Sequence, residues 1–499
     1  MSSENEVETQ VLAPRDYEPV GHRTIVLAGL AVVLAVAAAL AAELLTRLIG
    51  AVTSLTYHGH LVWHLVPPAG GPRSVPVLLL IPVAGAIVVG LMARYGSAAI
   101  RGHGIPEVME RVLFGESRIP ARVLFLKPLS AAIAIGTGGP FGAEGPIIAT
   151  GGALGSLSGQ FLRVTSDERK ILLAAGAAAG MAATFGSPVS AVLLAVELLL
   201  FEYRPRSLIP VALAAAVAAA VRATFEGTAP VFAMPLVTQP SVEALGVYAG
   251  IGVVIGAVAA GITRSTYAIE DWFERLGHKL HIHWMWWPAF GAIVVGLVGL
   301  VEPRTLGVGY NNISDALSGN VAGGALLVLV IFKFISWAVY LGSGTSGGTL
   351  APLFTIGSGL GALLGVAIAG AAPSLHVDGH VAALVGMAAI FAGASHALLA
   401  SVVFAFETTR QPLGLLPLLG GCTAAFLISS LMMRYTIMTE KLARRGTHVP
   451  FEYIAAEPEE IKRRDEDAVR ERHLELPMEI SLRRQRERQK TRTRDTELL

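Results

Sequence analysis

The sequence predicts an all-α membrane protein, and three observations carry that prediction. Of the 499 residues, 53% are hydrophobic and only 15% are charged, whereas soluble domains carry roughly 25% charged residues. The charges are unevenly placed, since residues 440–499 hold 15 Lys or Arg and 14 Asp or Glu. Seven apolar stretches are long enough to cross a hydrocarbon layer about 30 Å thick. The chain is therefore not an ordinary soluble enzyme.

The predicted membrane-spanning helices follow one another as far as the charged tail. They are 24–49, 76–95, 206–223, 243–264, 284–302, 323–342 and 412–433. Between them lie shorter apolar pieces cut by glycine and proline, at 122–136, 143–162, 169–184, 187–201, 348–371, 381–394 and 397–410. Helix ends inside a bilayer must be buried in protein or face a polar cavity, because lipid offers no hydrogen-bond partner. These broken helices indicate a transport pathway.

An internal repeat relates the two halves of the chain. A shift of 206 residues places 136–159 on 342–365 with nine of 24 positions identical, and a shift of 210 places Glu197 on Glu407. Transporters built from two homologous halves often hold their site at the membrane midplane. The repeat leaves the relative orientation of the halves open. The resulting division is an N-terminal segment 1–23, a first repeat 24–235, a second repeat 236–445 and a tail 446–499.

The basic residues indicate the orientation in the membrane, because short cytoplasmic loops are enriched in Lys and Arg. One short connection holds Arg101, Arg111, Arg118 and Arg122, and the tail is rich in arginine. The segment 52–75 has a single basic residue and is predicted to be external. We therefore expect a multi-pass protein of the cell membrane with both termini in the cytoplasm. The net charge of +1 does not favour a nucleic-acid partner.

Three glycine-rich segments look like the starts of helices: 102–106, 136–146 and 348–352. Each ends in proline, which the first turn of a helix tolerates, and glycine allows close approach of the backbone to a ligand. A helix N-terminus presents unpaired N–H groups and a partial positive charge, so it favours an anion. Three such ends converging on one point would form an anion site.

Glu144 lies inside the second of these segments. An ionised carboxylate could occupy the anion site and block it, whereas a protonated one could swing away and admit the ion. Ionisable groups at membrane depth are costly and commonly mark a function, which favours a gate and proton carrier. The alternative is that Glu144 only caps its helix, because carboxylates stabilise helix N-termini.

At these residues the sequence resembles the CLC chloride channel and transporter family, over roughly residues 24–445. Lys127 and the sequence around Glu197 are also similar to the family. The signatures Gly-Ser-Gly-Ile-Pro, Gly-Lys/Arg-Glu-Gly-Pro and Gly-x-Phe-x-Pro are matched by Gly102-His103-Gly104-Ile105-Pro106, Gly142-Ala143-Glu144-Gly145-Pro146 and Gly348-Thr349-Leu350-Ala351-Pro352.

The resemblance implies a CLC-like bundle of full and partial helices in two inverted repeats, assembled as a homodimer with one anion pathway per subunit. It implies that chloride is the transported ligand, that protons are a possible second one, that no cofactor is needed, and that Glu144 is the gating residue. The anion-binding residues it implies are His103, Gly104, Ile105, Pro106, Gly145, Pro146, Thr349, Leu350, Ala351 and Met438.

Several positions depart from the family pattern. His103 replaces the usual serine, and either its ring N–H or only the neighbouring backbone faces the anion. Leu350 replaces a phenylalanine. Met438 aligns with a tyrosine that normally completes the site, and a thioether cannot donate a hydrogen bond. We expect a weaker inner barrier unless Tyr435 or His103 compensates.

Leu198 stands where proton-coupled members of the family carry an internal glutamate, and a leucine side chain cannot relay a proton. Glu202 is one turn further on, but beside Arg204 and Arg206 it is more simply an ion-pairing residue. The sequence thus favours a passive channel or a weakly proton-coupled transporter, with a strict Cl⁻/H⁺ antiporter as the alternative. Fluoride or nitrate transport, and an intramembrane enzyme, are less favoured.

Other polar residues in the apolar body have structural interpretations. Glu197 and Glu407, at matched repeat positions, are predicted to be structural hydrogen-bond acceptors. His278, His281 and His283 have a spacing that could hold a metal, but the tryptophans that follow them indicate an interfacial belt. The lone Cys422 excludes an intrachain disulfide.

Overall fold

Helices account for nearly all of the regular structure of this protein. The computed structural model describes residues 20–68, 74–162 and 164–446. Within them lie seventeen α-helices, numbered α1 to α17 in chain order and joined by short 3-10 and π-helical turns. The described ranges contain two isolated β-bridges and no longer strand pairing, so the all-α prediction is confirmed.

Eight helices come from each half of the chain, and one short helix follows them. The first half contains α1 His22–Thr53, α2 Val75–Leu91, α3 Ile105–Phe114, α4 Ala121–Gly136, α5 Glu144–Phe161, α6 Ser166–Phe185, α7 Pro188–Ala195 and α8 Pro205–Glu226. The second half contains α9 Val242–Leu280, α10 Trp287–Val301, α11 Tyr310–Leu317, α12 Gly323–Gly342, α13 Leu350–Ala371, α14 Gly379–Ser395, α15 Leu398–Thr409 and α16 Leu415–Met432. The last helix is α17 Glu440–Arg444.

Eight helical segments in the described chain are long and apolar enough to cross a membrane. Seven of them are the predicted spans, and the eighth is Leu350–Ala371, which was predicted as a partial helix because glycine interrupts it. The multi-pass membrane architecture is thereby confirmed. The predicted segment 1–23 and tail 446–499 lie almost wholly outside the described residues, and the domain boundaries stay predictions.

The two halves run in opposite directions, as their matched helices α2 and α10 show. A Cβ atom placed on Gly90, near the end of α2, would lie 2.3 Å from the carbonyl oxygen of Met285, which precedes α10. A Cβ atom on Gly296, late in α10, would lie 2.7 Å from the carbonyl oxygen of Leu78, near the start of α2. The pair is therefore antiparallel, and the repeats are inverted.

Small residues hold the buried helices together in both repeats. A Cβ atom on Gly151 of α5 would lie 2.1 Å from the carbonyl oxygen of Gly176 of α6, and a Cβ atom on Gly357 of α13 would lie 2.4 Å from that of Gly386 of α14. Glycine at such positions lets helix backbones approach closely where no hydrophobic drive acts between helices in lipid. Helix packing is therefore one role of the glycines that recur in the two repeats.

Two glutamates cross-link the repeats. The carboxylate of Glu197 accepts hydrogen bonds from the backbone N–H groups of Leu399 (2.9 Å) and Ala400 (3.0 Å). Glu407 accepts the equivalent bonds from Val189 (3.0 Å) and Ser190 (2.8 Å). Each carboxylate satisfies first-turn N–H groups that have no partner within their own helix. Their predicted role as structural acceptors is confirmed.

Candidate anion pathway

The three predicted helix starts, those of α3, α5 and α13, meet in the middle of the protein. The loops before them are joined by backbone hydrogen bonds. The N–H of Gly102 donates to Thr345 (2.8 Å), and the N–H of Gly348 donates to Gly142 (3.0 Å). These bonds tie the loop before α13 to the loops before α3 and α5, so one short stretch of the second repeat holds both first-repeat helix starts.

Contact between the helix starts depends on glycine. A Cβ atom on Gly145 would lie 1.9 Å from the carbonyl oxygen of His103, and one on Gly104 would lie 2.4 Å from the carbonyl oxygen of Gly145. Gly104 also has a φ of +94°, a backbone conformation that disfavours residues with a side chain. The structure therefore places the residues predicted around 103–106 against those predicted around 144–146.

The first turns of these helices carry N–H groups that have no acceptor within the helix. Pro106, Pro146 and Pro352 lack an N–H, so the donors of each first turn come from its other residues. The N–H of Gly104 is already bonded to the side chain of Glu107 at 2.8 Å. The donors left for a ligand are those of the remaining predicted residues, Ile105, Gly145, Leu350 and Ala351.

Unpaired side-chain atoms gather around the same point. Buried polar atoms are normally hydrogen-bonded, so a local group without partners indicates a place for a polar ligand. Within the described residues the unpaired buried side-chain atoms of these three motifs are His103 Nδ1, Glu144 Oε2 and Thr349 Oγ1. Two of them, His103 and Thr349, were predicted as anion ligands.

Glu144 is the first residue of α5 and is fully buried. Its Oε1 accepts a hydrogen bond from the hydroxyl of Tyr310 at 3.0 Å. A Cβ atom on Gly142 would lie 1.7 Å from Glu144 Oε2, and one on Gly348 would lie 2.8 Å from the same oxygen. The carboxylate therefore lies directly against the entry to α13, at the meeting point of the helix starts.

The sequence interpretation missed Tyr310, because no local motif marks it. The repeat contains a signal that could have found it. Helix α3 begins at Ile105, after Gly104, and α11 begins 205 residues later at Tyr310, after Gly309. Extending the alignment of the halves to these positions would have placed Tyr310 at a helix start facing the pathway.

Met438 is fully buried in the turn before α17, where its thioether offers no donor. The preceding residue, Ile437, accepts a hydrogen bond from the hydroxyl of Tyr267 at 2.8 Å. Tyr267, Ile437 and His103 line the same cavity. Tyr435 packs beside Arg434 and lines another pocket, to which Tyr267 also contributes. Of these two tyrosines, Tyr267 is the one that lines the cavity with His103.

Two fully buried lysines support the loops that precede α3 and α11. Lys127 Nζ donates to the carbonyl oxygens of Ile100 (2.8 Å) and Gly102 (2.7 Å). Lys333 Nζ donates to those of Thr305 (3.0 Å) and Gly307 (3.3 Å). Buried charges need such hydrogen bonds to offset their desolvation. The lysines also place positive charge near the pathway, where the low dielectric strengthens its effect.

Two cavities approach the helix starts. One of about 540 Å³ reaches His103 and is lined by Ala98 and Ala99, just after the helical segment Val75–Gly96. The other, of about 320 Å³, reaches Tyr310 and is lined by Pro67 and Pro68, before that segment. The 22 residues of the segment span about 33 Å at 1.5 Å per residue. The cavities therefore open at opposite ends of a membrane-spanning helix. We name the cavity that reaches His103 the C-terminal cavity and the cavity that reaches Tyr310 the Tyr310 cavity.

The end of the second repeat closes part of the C-terminal cavity through ion pairs. The basic side chains come from α17 and the residue after it, and the acidic ones come from α3 and α9. The pairs are Lys441 with Glu107 (2.8 Å), Arg444 with Asp271, and Arg445 with Glu110 (2.7 Å). This cavity is thus lined by fixed charges of both signs.

Leu198 and Glu202, the two positions considered for proton transfer, lie away from both cavities. Leu198 is buried in the π-helical turn Val196–Leu200. Glu202 accepts a hydrogen bond from Ser207 Oγ (2.5 Å) and has Arg204 at 3.8 Å, which confirms its interpretation as an ion-pairing residue. Neither side chain lines the C-terminal cavity or the Tyr310 cavity.

The histidines before α10 have surface roles. His283 contacts the guanidinium of Arg94 and the ring of Trp284. Trp286 and Trp272 are exposed, which fits an interfacial belt. Among the residues that the structure describes, no three His, Cys, Asp or Glu side chains come together as a metal site would require.

Inverted repeats, helix starts that meet inside the protein and a cavity at each end of the meeting point define a membrane transport protein of the channel and transporter class. Residues 84–430 match the family model described as "Voltage gated chloride channel". The chain belongs to this family, and the resemblance in its motifs is confirmed.

Curated relatives extend the match over most of the chain. The H(+)/Cl(-) exchange transporters ClcA of Salmonella arizonae and Salmonella paratyphi B are each 30% identical to it over 409 residues, covering 80% of this chain and 83% of the relative.

Solved structures share the fold. A slow cyanobacterial Cl⁻/H⁺ antiporter superimposes with a TM-score of 0.75 at 22% identity, covering 85% of this chain and 98% of the other. A CLC-type fluoride/proton antiporter has a TM-score of 0.68 at 22% identity, covering 84% and 99%. A eukaryotic CLC transporter has a TM-score of 0.70 at 23% identity, covering 86% and 75%.

Proposed function

We propose that this chain transports chloride across the membrane, along a pathway that passes the starts of α3, α5 and α13 and is gated by Glu144. One observation carries the proposal. The fully buried carboxylate of Glu144, with one oxygen unpaired within the described chain, lies where the predicted anion site should be. The names of the curated relatives, which are H(+)/Cl(-) exchange transporters, support chloride as the anion.

The anion is held by neutral donors. First-turn N–H groups of Ile105, Gly145, Leu350 and Ala351 supply partial positive charge, and the unpaired Nδ1 of His103 and Oγ1 of Thr349 add side-chain donors. His103 donates to the anion only when Nδ1 carries a proton, since the ring is also hydrogen-bonded to the backbone of Ile437. Donors without a full charge at the contact point bind an anion weakly enough to release it.

Gating follows from competition between two anions for one place. When ionised, Glu144 occupies the helix starts and repels chloride. When protonated, Glu144 loses its charge and therefore its attraction to the helix N-termini. The side chain then leaves the helix starts, and the pathway opens. Flux should therefore rise as the pH falls. The alternative, in which Glu144 only caps α5, predicts no such link between pH and flux.

We propose a passive or weakly proton-coupled mode, because Leu198 cannot relay a proton and Glu202 is engaged with Ser207 and Arg204. A strict Cl⁻/H⁺ antiporter is the second candidate, and the names of the relatives favour it. Simultaneous recording of chloride and proton flux in proteoliposomes separates the two. Stoichiometric uphill proton movement would establish the antiporter.

All elements of the pathway come from one chain, so each subunit is complete by itself. We propose a homodimer in the bilayer with cytoplasmic termini, without a cofactor and without a nucleic-acid partner. Exposed apolar side chains on α7, α15 and α16, among them Val189, Leu399 and Leu416, offer a surface for the second subunit. Disulfide cross-linking of Leu416→Cys in membranes tests this, with Val33→Cys on α1, also exposed, as the control.

The gating role is tested by chloride efflux from proteoliposomes. Glu144→Gln should lose the pH dependence of the wild type, whereas Glu202→Gln, which removes a carboxylate away from both cavities, should keep it. Replacing chloride by nitrate or fluoride in the same assay tests the anion preference. A Glu144→Gln protein with the pH response of the wild type would contradict the gate, and absence of any anion flux would favour an enzyme.

A further inference from the structure

We propose that Tyr310 is a positioning residue for the gate. From the side of the Tyr310 cavity, its hydroxyl holds the Glu144 carboxylate in the closed position. The proposal rests on the gating role of Glu144 given above. Its basis is the hydrogen bond from the Tyr310 hydroxyl to Glu144 Oε1 at 3.0 Å. Within the described chain Tyr310 is the only side chain that donates to this carboxylate, and the backbone N–H of Glu144 itself is the other donor.

The ring of Tyr310 is fixed by its neighbours, so the direction of the hydroxyl is fixed as well. Its ring centroid lies 5.8 Å from that of Phe185 and 6.1 Å from that of Phe232, both in edge-to-face contact. Such arrangements are the favourable ones for aromatic pairs. Tyr310 is only partly buried, since it also lines the Tyr310 cavity of about 320 Å³. The hydroxyl thus stands between that cavity and the gate.

The backbone that carries Tyr310 is also fixed. Gly309 opens α11 with a φ of +74°, and a Cβ atom there would lie 3.1 Å from Lys333 Nζ. Lys333 holds the preceding loop through the carbonyl oxygens of Thr305 and Gly307. The lysine therefore supports the position of Tyr310 without bonding to the gate itself.

The hydrogen bond favours the ionised form of Glu144. A bond from a hydroxyl to a carboxylate is roughly twice as strong as one between neutral groups, so protonation of the gate weakens it. The charged groups that act on this pair are Lys333, whose charge reaches Glu144, and Arg222, whose charge reaches Tyr310. Arg222 is held by the carbonyl oxygen of Thr184 at 3.3 Å. Both are cations, and neither replaces the donated hydrogen bond.

The inverted repeat relates Tyr310 to His103. The start of α3, with His103 beside it, faces the C-terminal cavity, and the matching start of α11, with Tyr310, faces the cavity at the other end. One repeat supplies a donor for the anion, and the other supplies a donor for the carboxylate that competes with it. The Tyr310 hydroxyl therefore sets how readily the gate leaves its closed position.

The test is chloride efflux from proteoliposomes as a function of pH. Tyr310→Phe keeps the ring and its aromatic contacts but removes the donor. The pH of half-maximal flux should then rise by about one unit, which corresponds to a tenfold change in the proton affinity of the gate. Maximal flux at acidic pH should be unchanged. Tyr310→Leu, a second variant without the hydroxyl, should shift the profile in the same direction.

Three further variants keep the outcomes distinguishable: Tyr248→Phe, Glu144→Ala, and Glu144→Ala combined with Tyr310→Phe. Tyr248→Phe removes a buried hydroxyl that bonds the backbone of Asp378 at 2.9 Å, away from the gate, and should leave the pH profile of the wild type. Adding Tyr310→Phe to Glu144→Ala should cause no additional shift. If Glu144→Ala abolishes the pH dependence while both Tyr310 variants behave like the wild type, the role of Tyr310 is overturned and the gate stands. If Glu144→Ala keeps the pH dependence, the gate itself is overturned.

Discussion

Lys127 and Lys333 occupy matching places in the two inverted repeats, 206 residues apart, and each binds two carbonyl oxygens of the loop before a helix start. Both are fully buried. The first loop leads to the helix start beside His103, and the second leads to Tyr310. The same structural support therefore positions a functional donor at each end of the pathway.

Lys127→Met should destabilise the protein. The substitution keeps the length of the side chain but leaves the carbonyl oxygen of Ile100 without its Lys127 donor and that of Gly102 with only the longer bond from the N–H of Gly347. The expected cost is about 2 kcal/mol in the free energy of unfolding. Unfolding of the purified protein in detergent measures this. Lys279→Met, at an exposed position, is the control. Equal stability of the two variants would contradict the support assigned to Lys127.

Gly151→Ala should weaken the packing of α5 on α6, since the added Cβ would lie 2.1 Å from the carbonyl oxygen of Gly176 and the helices would have to separate. We expect a loss of about 1 to 3 kcal/mol, as is typical of overpacking. Gly246→Ala is the matched control, because a Cβ there meets nothing within 4 Å. A melting temperature for Gly151→Ala as high as that of Gly246→Ala would show that the contact is relieved without cost.

Glu197→Ala and Glu407→Ala should destabilise the protein by similar amounts, because each removes two hydrogen bonds to first-turn N–H groups of the other repeat. The expected loss is about 1 to 3 kcal/mol each. Denaturant titrations of both variants check this, with Glu226→Ala at the exposed end of α8 for comparison. If one variant were as stable as Glu226→Ala, the symmetric bracing would be wrong.

His103→Ala should lower the affinity for chloride about fivefold, the effect of losing one hydrogen bond of about 1 kcal/mol. Calorimetric titration of chloride into the purified protein measures it. His60→Ala, in the exposed connection after α1, should bind chloride like the wild type. Unchanged affinity in His103→Ala would favour the alternative in which only the backbone beside His103 faces the anion.

Much of the fold could be predicted from the sequence because apolar run length and glycine spacing report directly on membrane helices. The seven spans and the three converging helix starts followed from them. Leu350–Ala371 was predicted to be a partial helix because its many glycines interrupt the apolar run. In the structure these glycines allow close packing against α14. The inversion of the repeats needed the antiparallel contact of α2 and α10, which no local pattern encodes.

The candidate site could be predicted only in part. Glu144, His103 and Thr349 lie within motifs, and each has a buried side-chain atom without a hydrogen-bond partner in the described chain. Tyr310 and Tyr267 lie outside any motif, and each acts through a contact with a residue more than 160 positions away in sequence. Such contacts arise from the way the inverted halves pack, so they require the structure.

The central claim is that the Glu144 carboxylate closes the pathway when ionised. The most direct measurement is the ratio of chloride efflux at neutral pH to efflux at acidic pH, compared between the wild type and Glu144→Gln in proteoliposomes. We predict a ratio well below one for the wild type and close to one for Glu144→Gln, because the amide cannot ionise. A ratio in Glu144→Gln as low as that of the wild type would contradict the claim.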